Sequence, residues 1–208
     1  MTAADPFTPG APPLQRRDWI AGLEKGLTLL LAFDADHPRL TASQAGQRCG
    51  MTRTVARRLL LTLLHLGFVR TDGKLYWLTP RVLRLGQAYL ASSRLARAVQ
   101  PFLQRVTSAT GEAAYLCVLD GDEAVAIARN GPWPALGVGY LPGARLPAHL
   151  TAAGLVLLAA QPEPRLAAWL DGCELAAWTP FTQTNPARLL QNLGTVREQG
   201  WALVDQQA

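Results

Sequence analysis

Apolar residues recur every three or four positions through the first half of the chain, which is typical of amphipathic helices. The pattern predicts helices over 19–33, from Thr41 to Gly50, from Thr52 to Gly67, from Thr79 toward Ser92, and over about 94–109. After position 113 the pattern changes to short runs of strand-forming residues at 114–119, 124–128 and 136–141. The order of elements therefore predicts an α+β protein with a helical first part.

Two closely spaced helices in this series form a helix–turn–helix. Thr41 and Gln44 have the spacing of a capping box, and Gly50 stands where a helix ends in a left-handed residue. Thr52 is a suitable cap for the second helix. Its predicted core face consists of Val55, Leu59, Leu63 and Leu66.

A β-hairpin follows the second helix directly. The segments 68–70 and 74–78 are rich in strand formers, and Asp72-Gly73 between them predicts a tight turn whose two central residues have positive φ. Arg70 and Lys74 flank its tip. A basic helix–turn–helix with such a wing is built to enter a DNA major groove.

The predicted DNA-contacting residues come from both helices and from the wing. Arg53 and Arg57 lie one turn apart on the polar side of the second helix, and arginine forks onto guanine or clamps phosphates. The full set is Thr41, Ser43, Gln44, Thr52, Arg53, Thr54, Arg57, Arg58, Arg70 and Lys74.

In the second half, a glycine-bearing loop over 142–151 leads from the strands into the apolar helix 152–160. The start of a helix, with its free N–H groups, is a good place to hold a small anion. A later helix over 185–200 and a terminal strand over 201–204 complete the predicted elements.

The charge of the chain is divided unevenly. Residues 19–109 carry 13 Lys and Arg against 4 Asp and Glu, whereas residues 110–208 carry 5 against 9. The positive charge of the first part therefore favours binding to a polyanion, and the mildly acidic second part has a different function.

Membrane spans, secretory signals and cysteine spacing indicate the cellular compartment of the protein. No apolar run reaches the roughly 18–20 residues that span a bilayer, and the N-terminus has no apolar core of a secretory signal. The three cysteines are far apart, so we expect free thiols in a reducing cytoplasm. We predict a disordered leader over 1–18, a DNA-binding domain over 19–79, a linker helix over 80–93 and a second domain over 94–208.

These motifs resemble the IclR-type transcriptional regulators over about residues 19–205. The resemblance is carried by the winged helix–turn–helix, the linker helix, the stretch from Gly143 to Ala159 and the ending from Gly200 to Asp205. The stretches 20–27, 52–58 and 77–86 look closest to the branch that governs aromatic-acid catabolism through β-ketoadipate.

The resemblance implies a homodimer or tetramer that binds palindromic double-stranded DNA, and a GAF-like effector domain with an antiparallel sheet. The implied effector is a small carboxylate of the β-ketoadipate, protocatechuate or 4-hydroxybenzoate class. Its predicted contacts are Tyr115, Leu141, Gly143, Leu146, His149, Thr151, Ala152, Ala153 and Asp205. Tyr115, Cys117 and Leu141 either line the implied effector cavity or fill the core. Because such regulators usually continue beyond Asp205, the resemblance leads us to expect a C-terminally incomplete effector domain.

Two other classes of function stay open on the residues alone. The first is a nonspecific architectural DNA-binding protein, which binds any duplex with similar affinity. The second is an enzyme fused to a DNA-binding module, with Cys117, Cys173 and His149 as the available reactive groups. Their spacing matches neither a zinc motif nor a catalytic triad, so we predict no metal, no cofactor and no catalytic residues.

Overall fold

A computed structural model describes residues 15–132 and 141–207, which form two compact units that divide between Ala91 and Ser92. Residues 1–14 of the predicted leader lie outside this range, and Arg16–Asp18 form a 3-10 turn. None of the helices in the described residues combines the length and the apolar character needed to cross a membrane.

The first unit is a helix–turn–helix with a β-wing. Its elements are α1 (Ala21–Leu31), β1 (Leu40–Thr41), α2 (Ala42–Arg48), α3 (Arg53–His65), β2 (Val69–Thr71), β3 (Leu75–Leu78), a 3-10 turn (Pro80–Val82) and α4 (Leu83–Ser92). The three strands pair antiparallel in the order β1-β3-β2. The predicted first helix, helix–turn–helix and wing are thus confirmed within one or two residues at their ends.

The turns after α2 and α3 have the same geometry, and in both cases a glycine makes it possible. Gly50 has φ +62° and Gly67 has φ +77°, in the left-handed region. The Met51 N–H donates to the Gly46 carbonyl at 2.8 Å, and the Phe68 N–H donates to the Leu63 carbonyl at 2.9 Å. These are Schellman endings, which satisfy the last carbonyls of each helix.

The core face of α3 differs from the sequence prediction. Ala56, Leu60 and Leu63 are the residues of α3 that are buried, whereas the predicted Leu66 is 47% exposed. Val55 and Leu59 are only half-buried. The buried face is rotated from the predicted one because Ala56 packs against Gly46 of α2. A Cβ atom added at Gly46 would lie 3.4 Å from the Cβ atom of Ala56.

The wing turn also differs from the prediction. Gly73 has φ +100°, but Asp72 has no positive φ, so the turn is not the two-residue type that the Asp-Gly pair predicts. Asp72, Gly73 and Lys74 instead form a three-residue loop between β2 and β3. Its geometry is held by the Asp72 carboxylate, which accepts hydrogen bonds from the N–H groups of Lys74 and Leu75 at 2.9 and 2.7 Å.

The second unit packs helices on an antiparallel sheet. Its elements are α5 (Arg94–Thr110), β4 (Ala114–Asp120), β5 (Glu123–Asn130), β6 (Arg145–Pro147), a 3-10 turn (Ala148–Leu150), α6 (Ala152–Ala159), α7 (Glu163–Gly172) and α8 (Pro186–Gln199). The described strands pair in the order β4-β5-β6. The helix α6 contacts both β4 and α8. A core of α6, α7 and α8 side chains includes the fully buried Trp169.

Several predictions for this unit need correction. Most of the predicted strand 136–141 lies outside the described residues, and Leu141 belongs to a turn. The loop 142–151 contains β6, which the sequence analysis missed. The predicted strand 201–204 has no regular secondary structure and pairs with no described strand, although Ala202 and Val204 pack against the core.

Candidate functional site

A polar concavity of about 340 Å³ lies between the helix–turn–helix and the wing. Arg53 and Arg57 project into it from α3, Ser43 from the start of α2, and Lys74 from the wing loop. Thr41, Ala42, Gly73 and Tyr76 complete the lining. The structure thus brings five of the ten predicted DNA-contacting residues, namely Thr41, Ser43, Arg53, Arg57 and Lys74, around one space.

The helix starts fix the orientation of this surface. The Thr41 hydroxyl accepts a hydrogen bond from the Gln44 N–H at 3.2 Å, and the Gln44 side chain accepts one from the Thr41 N–H at 2.9 Å. Thr52 caps α3 through the Val55 N–H at 3.4 Å. The predicted capping box and cap are therefore confirmed, and these side chains orient the helices that carry Arg53 and Arg57.

Five predicted residues do not line the concavity. Gln44 and Thr52 have the capping roles just described, while Thr54 and Arg58 are exposed beside it on α3. Arg70 lies in register with Trp77 of β3. Because alternate strand residues point to opposite faces, Arg70 lies on the other side of the wing sheet from Tyr76, which lines the concavity.

The electrostatics of the concavity favour an anion. Three of its described lining side chains are cationic, and none is acidic. The nearby carboxylate of Asp72 is exposed, and hydrogen bonds from the backbone N–H groups of Leu75 and Lys74 lower the pKa of that carboxyl below 3.8. The carboxylate therefore stays ionised and bound to its own loop at neutral pH.

A second, mostly apolar cavity of about 410 Å³ lies in the second unit, between the sheet and the start of α6. Its described lining consists of Tyr115, Cys117, Ala124, Ala126, Ala144, Leu146, Thr151, Ala152 and Ala153. Five of the nine predicted effector contacts are among them: Tyr115, Leu146, Thr151, Ala152 and Ala153. The volume falls in the range of about 300–1,000 Å³ that is usual for small-molecule sites.

Polar groups are concentrated at one wall of this cavity, where α6 begins. The Thr151 hydroxyl accepts a hydrogen bond from the Gly154 N–H at 2.9 Å and thereby caps the helix. The N–H groups of Ala152 and Ala153 belong to the first turn, where a helix offers no internal acceptor. This wall can hold a carboxylate, while the small side chains opposite leave room for an apolar body.

The remaining predicted effector contacts lie elsewhere. Leu141 and Gly143 belong to the turn before β6, and Asp205 is exposed in the C-terminal segment. His149 is only 2% exposed, and its Nε2 lies 3.4 Å from the Ala176 carbonyl oxygen. Burial lowers the pKa of His149 below 6.5, which keeps the ring neutral. The structure therefore gives His149 a position in the interior rather than on the cavity wall.

Three lining residues were missed by the sequence analysis, namely Ala124, Ala126 and Ala144. The signal was present for two of them, because alanines at alternate positions of β5 leave space on one face of the sheet. All three cysteines are free thiols, and burial raises the pKa of Cys117 in the cavity wall. Residues 15–132 and 141–207 contain no cluster of three or more His, Cys, Asp or Glu that could hold a metal ion.

Comparison with known proteins gives two family matches that together cover most of the chain. Residues 22–73 match the model described as IclR helix-turn-helix domain, and residues 87–207 match the model described as Bacterial transcriptional regulator IclR C-terminal.

Individual proteins are similar over nearly the whole chain. The Pca operon regulatory protein of Acinetobacter baylyi is 38% identical over 192 residues, which are 90% of this chain and 69% of the relative. The p-hydroxybenzoate hydroxylase transcriptional activator of the same organism is 38% identical over 204 residues, with coverages of 91% and 72%. The chain therefore spans roughly two thirds of the length of these relatives.

A solved structure extends the comparison to a complex with a ligand. It is an IclR homolog from Microbacterium hydrocarbonoxydans complexed with 4-hydroxybenzoate, and it is 26% identical with a TM-score of 0.67. The match covers 88% of this chain and 76% of that one.

Proposed function

The chain belongs to the IclR family of bacterial transcriptional regulators, and we propose that it binds palindromic operator DNA and senses a small aromatic acid. The observation that carries the DNA-binding part is the convergence of Arg53, Arg57 and Lys74 on one concavity. A helix that presents two arginines beside a basic wing tip matches the width and charge of a major groove with its flanking phosphates. A regulator acts where the DNA is, so the proposal assigns the protein to the cytoplasm.

We assign base reading to the first turns of α3 and phosphate contacts at the concavity to Ser43 and Lys74. Arg53 and Arg57 face the concavity, with Thr54 and Arg58 exposed beside them. Ser43, at the start of α2, and Lys74 are suited to phosphate oxygens, which fix the register of the protein on the duplex.

Replacement of Arg57 tests the DNA-binding assignment. An Arg57→Ala protein should lose about 1–3 kcal/mol of affinity for its operator and lose less on a scrambled duplex, if Arg57 reads a base. Fluorescence anisotropy with both duplexes measures the difference. Arg188→Ala, an exposed position on α8, is the matched control for the lost charge. Unaltered operator affinity in Arg57→Ala would contradict the assignment.

The cavity supports the effector part of the proposal. Relatives are named for the p-hydroxybenzoate hydroxylase gene and the Pca operon, and a related structure holds 4-hydroxybenzoate. We propose that a carboxylate of the 4-hydroxybenzoate, protocatechuate or β-ketoadipate class binds at the start of α6, with its carbon skeleton toward Leu146 and the strand alanines.

Filling the cavity tests the effector assignment. Ala153→Leu places a larger side chain in the lining, so titration calorimetry with 4-hydroxybenzoate and protocatechuate should show at least about tenfold weaker binding, or about 1.4 kcal/mol. Ala187→Leu on the exposed start of α8 is the matched control. Equal affinity in both variants would count against this cavity.

We propose that the protein forms a homodimer, or a tetramer built from dimers. Two helices of the DNA-binding unit expose apolar side chains that a second copy can cover: Ile20, Leu23, Leu27 and Leu31 at α1, and Leu83, Leu85 and Tyr89 on α4. Light scattering on the purified chain measures the state, and a monomer at micromolar concentration would contradict this part.

In the proposed mechanism the effector shifts an equilibrium between two dimer geometries that differ in the spacing of the DNA-binding units. The ligand can do so only through its different affinity for the two states. The relatives are named as regulators, which favours a protein without catalytic activity over a fused enzyme. The cavity disfavours a purely architectural DNA-binding role.

A further inference from the structure

The wing sheet carries a basic and aromatic patch on the face that points away from the concavity. β3 is the central strand, and its Trp77 is in register with Arg70 of β2. On the other side, the pairs Leu40–Tyr76 and Thr41–Leu75 put Arg39 next to Trp77. Arg39, Trp77 and Arg70 thus form a row across the sheet, which we call the outer wing patch.

The opposite face of the same sheet shows that this row points outward. Leu40, Val69 and Tyr76 are 1–7% exposed and belong to the core of the unit. Because side chains alternate between faces along a strand, Arg39, Arg70 and Trp77 lie on the solvent side. Both arginines are exposed, and Trp77 is half-buried.

Arg39 is held in position by the indole ring. Its guanidinium carbon lies 4.6 Å from the centre of the Trp77 ring, within the distance at which a cation and an aromatic face attract each other. A stacked guanidinium keeps its N–H groups free to bind in the plane of the fork. The stack therefore orients Arg39 without using its hydrogen-bond donors.

Neither arginine is neutralised by an acidic neighbour in the described part of the chain, since no ion pair within 4.0 Å involves Arg39 or Arg70. Arg39 helps to lower the pKa of the Asp72 carboxyl, but that carboxylate accepts hydrogen bonds from its own loop and forms no ion pair with Arg39 within 4.0 Å. The patch therefore keeps two positive charges available for an external anion.

We propose that the outer wing patch is a second phosphate-binding surface for duplex DNA, in which Arg39 and Arg70 contact the backbone that the concavity does not reach. The proposal rests on the proposed DNA-binding function. A hairpin that enters a minor groove about 6 Å wide has a phosphate backbone on each side. The concavity with Lys74 faces one backbone, and the outer wing patch faces the other.

If the outer wing patch contacts this second backbone, the affinity of the protein depends on the length of the duplex. A duplex that covers only the base pairs under α3 lacks the backbone beyond the wing, whereas a duplex extended by half a helical turn at each end supplies it. Wild-type protein should bind the extended duplex more tightly. An Arg39→Ala/Arg70→Ala protein should lose that gain and still bind the short duplex as wild type does.

The salt dependence gives an independent readout. Each lost phosphate contact reduces the steepness of log affinity against log salt by about 0.9. On the extended duplex, the slope of the double variant should therefore be about 2 less steep than that of wild type. Arg39→Lys keeps the charge and should keep most of the slope. Trp77→Leu removes the platform and should weaken binding of the extended duplex alone.

The control variants separate the inference from the proposed function. Arg57→Ala should weaken both duplexes equally, and Arg188→Ala should weaken neither. If wild-type protein binds no duplex, the proposed function fails and the inference falls with it. If wild-type protein binds and the double variant keeps both the length gain and the slope, the inference alone is overturned.

Discussion

Single residues decide where backbones of this chain approach each other. A Cβ at Gly154 would lie 2.1 Å from the Ala148 carbonyl oxygen, and one at Gly46 would lie 2.7 Å from the Met51 carbonyl oxygen. Both glycines bring a helix against the segment that precedes or follows it, and these contacts orient the start of α6 and the start of α3. The two candidate surfaces therefore depend on positions that touch neither DNA nor effector.

The first prediction concerns Gly154→Ala. The added methyl group clashes with backbone that cannot rotate away, so the second unit should lose about 3 kcal/mol of its free energy of unfolding, the upper end of the usual cost of overpacking. Urea denaturation followed by circular dichroism measures the loss. Gly194→Ala is the control, because no atom outside its own helix lies within 4 Å of the added Cβ. Inside a helix, alanine is more favourable than glycine by about 1 kcal/mol. Equal stability of both variants would refute the close contact.

The second prediction concerns pH and His149. Burial lowers the pKa of this histidine below its ordinary value of 6.5, so the folded state favours the neutral ring. The unfolded chain then binds the extra proton more readily as the pH falls below about 6.5, and stability should decrease from there downward. Denaturation from pH 7.5 to 5 should show a weaker decrease in His149→Gln than in wild type.

A His149→Gln protein whose stability decreases with falling pH as steeply as that of wild type would contradict this prediction. In that case the histidine in the interior does not account for the pH dependence.

At the scale of helices and strands, the sequence predicted the features that depend only on residues close together along the chain. The capping box at Thr41, the cap at Thr52 and the left-handed Gly50 are local features, and all three are confirmed. The core face of α3 was predicted wrongly because tertiary contact with Gly46 decides which side is buried. A missed helix, α7, starts in a segment with prolines at 162 and 164, which read as loop signals although proline is tolerated in a first helical turn.

In the candidate sites too, local features were predictable from the sequence and tertiary contacts were not. The positions of Arg53, Arg57 and Thr151 were predictable because each stands at the cap or within the first turn and a half of a helix with a clear start. Ala144 was not predictable, because its position in the cavity wall depends on pairing of the β6 region with β5, where the Ala126 N–H donates to its carbonyl at 3.0 Å. The interior position of His149 was not predictable, because burial is a property of the assembled fold.

The third prediction belongs to the wing loop. The Asp72 carboxylate accepts two backbone hydrogen bonds, so Asp72→Ala should leave the N–H groups of Lys74 and Leu75 without this acceptor. Their amide hydrogen exchange should accelerate, and affinity for operator DNA should fall because Lys74 loses its fixed position. Asp36→Ala in the exposed loop before β1 is the control.

A related pH effect follows from the same contacts. The pKa of Asp72 lies below 3.8, so the loop hydrogen bonds are fully present above that pH and are lost as the pH falls through the lowered value. Carboxyl titration followed by NMR measures this pKa. A value at or above 3.8, or unchanged exchange in Asp72→Ala, would contradict the role of the carboxylate.

The whole molecule combines a basic DNA-binding unit with a nearly neutral effector unit. Residues 12–91 carry 12 Lys and Arg against 5 Asp and Glu, a net charge of +7, whereas residues 92–208 carry 8 against 9, a net charge of −1. This division attracts a polyanion to the first unit and leaves the second free to bind a small molecule. We expect sequence-specific binding to exceed nonspecific binding by about 10³-fold or more.

The most direct test of the central claim is fluorescence anisotropy of the purified chain with the DNA that flanks its own gene and with scrambled duplex. Each is measured with and without 4-hydroxybenzoate, protocatechuate and β-ketoadipate. We predict strong preference for the native DNA and a shift of that affinity by one of the acids. Equal affinity for native and scrambled duplex, with no response to any acid, would contradict the account of this protein as a ligand-responsive regulator.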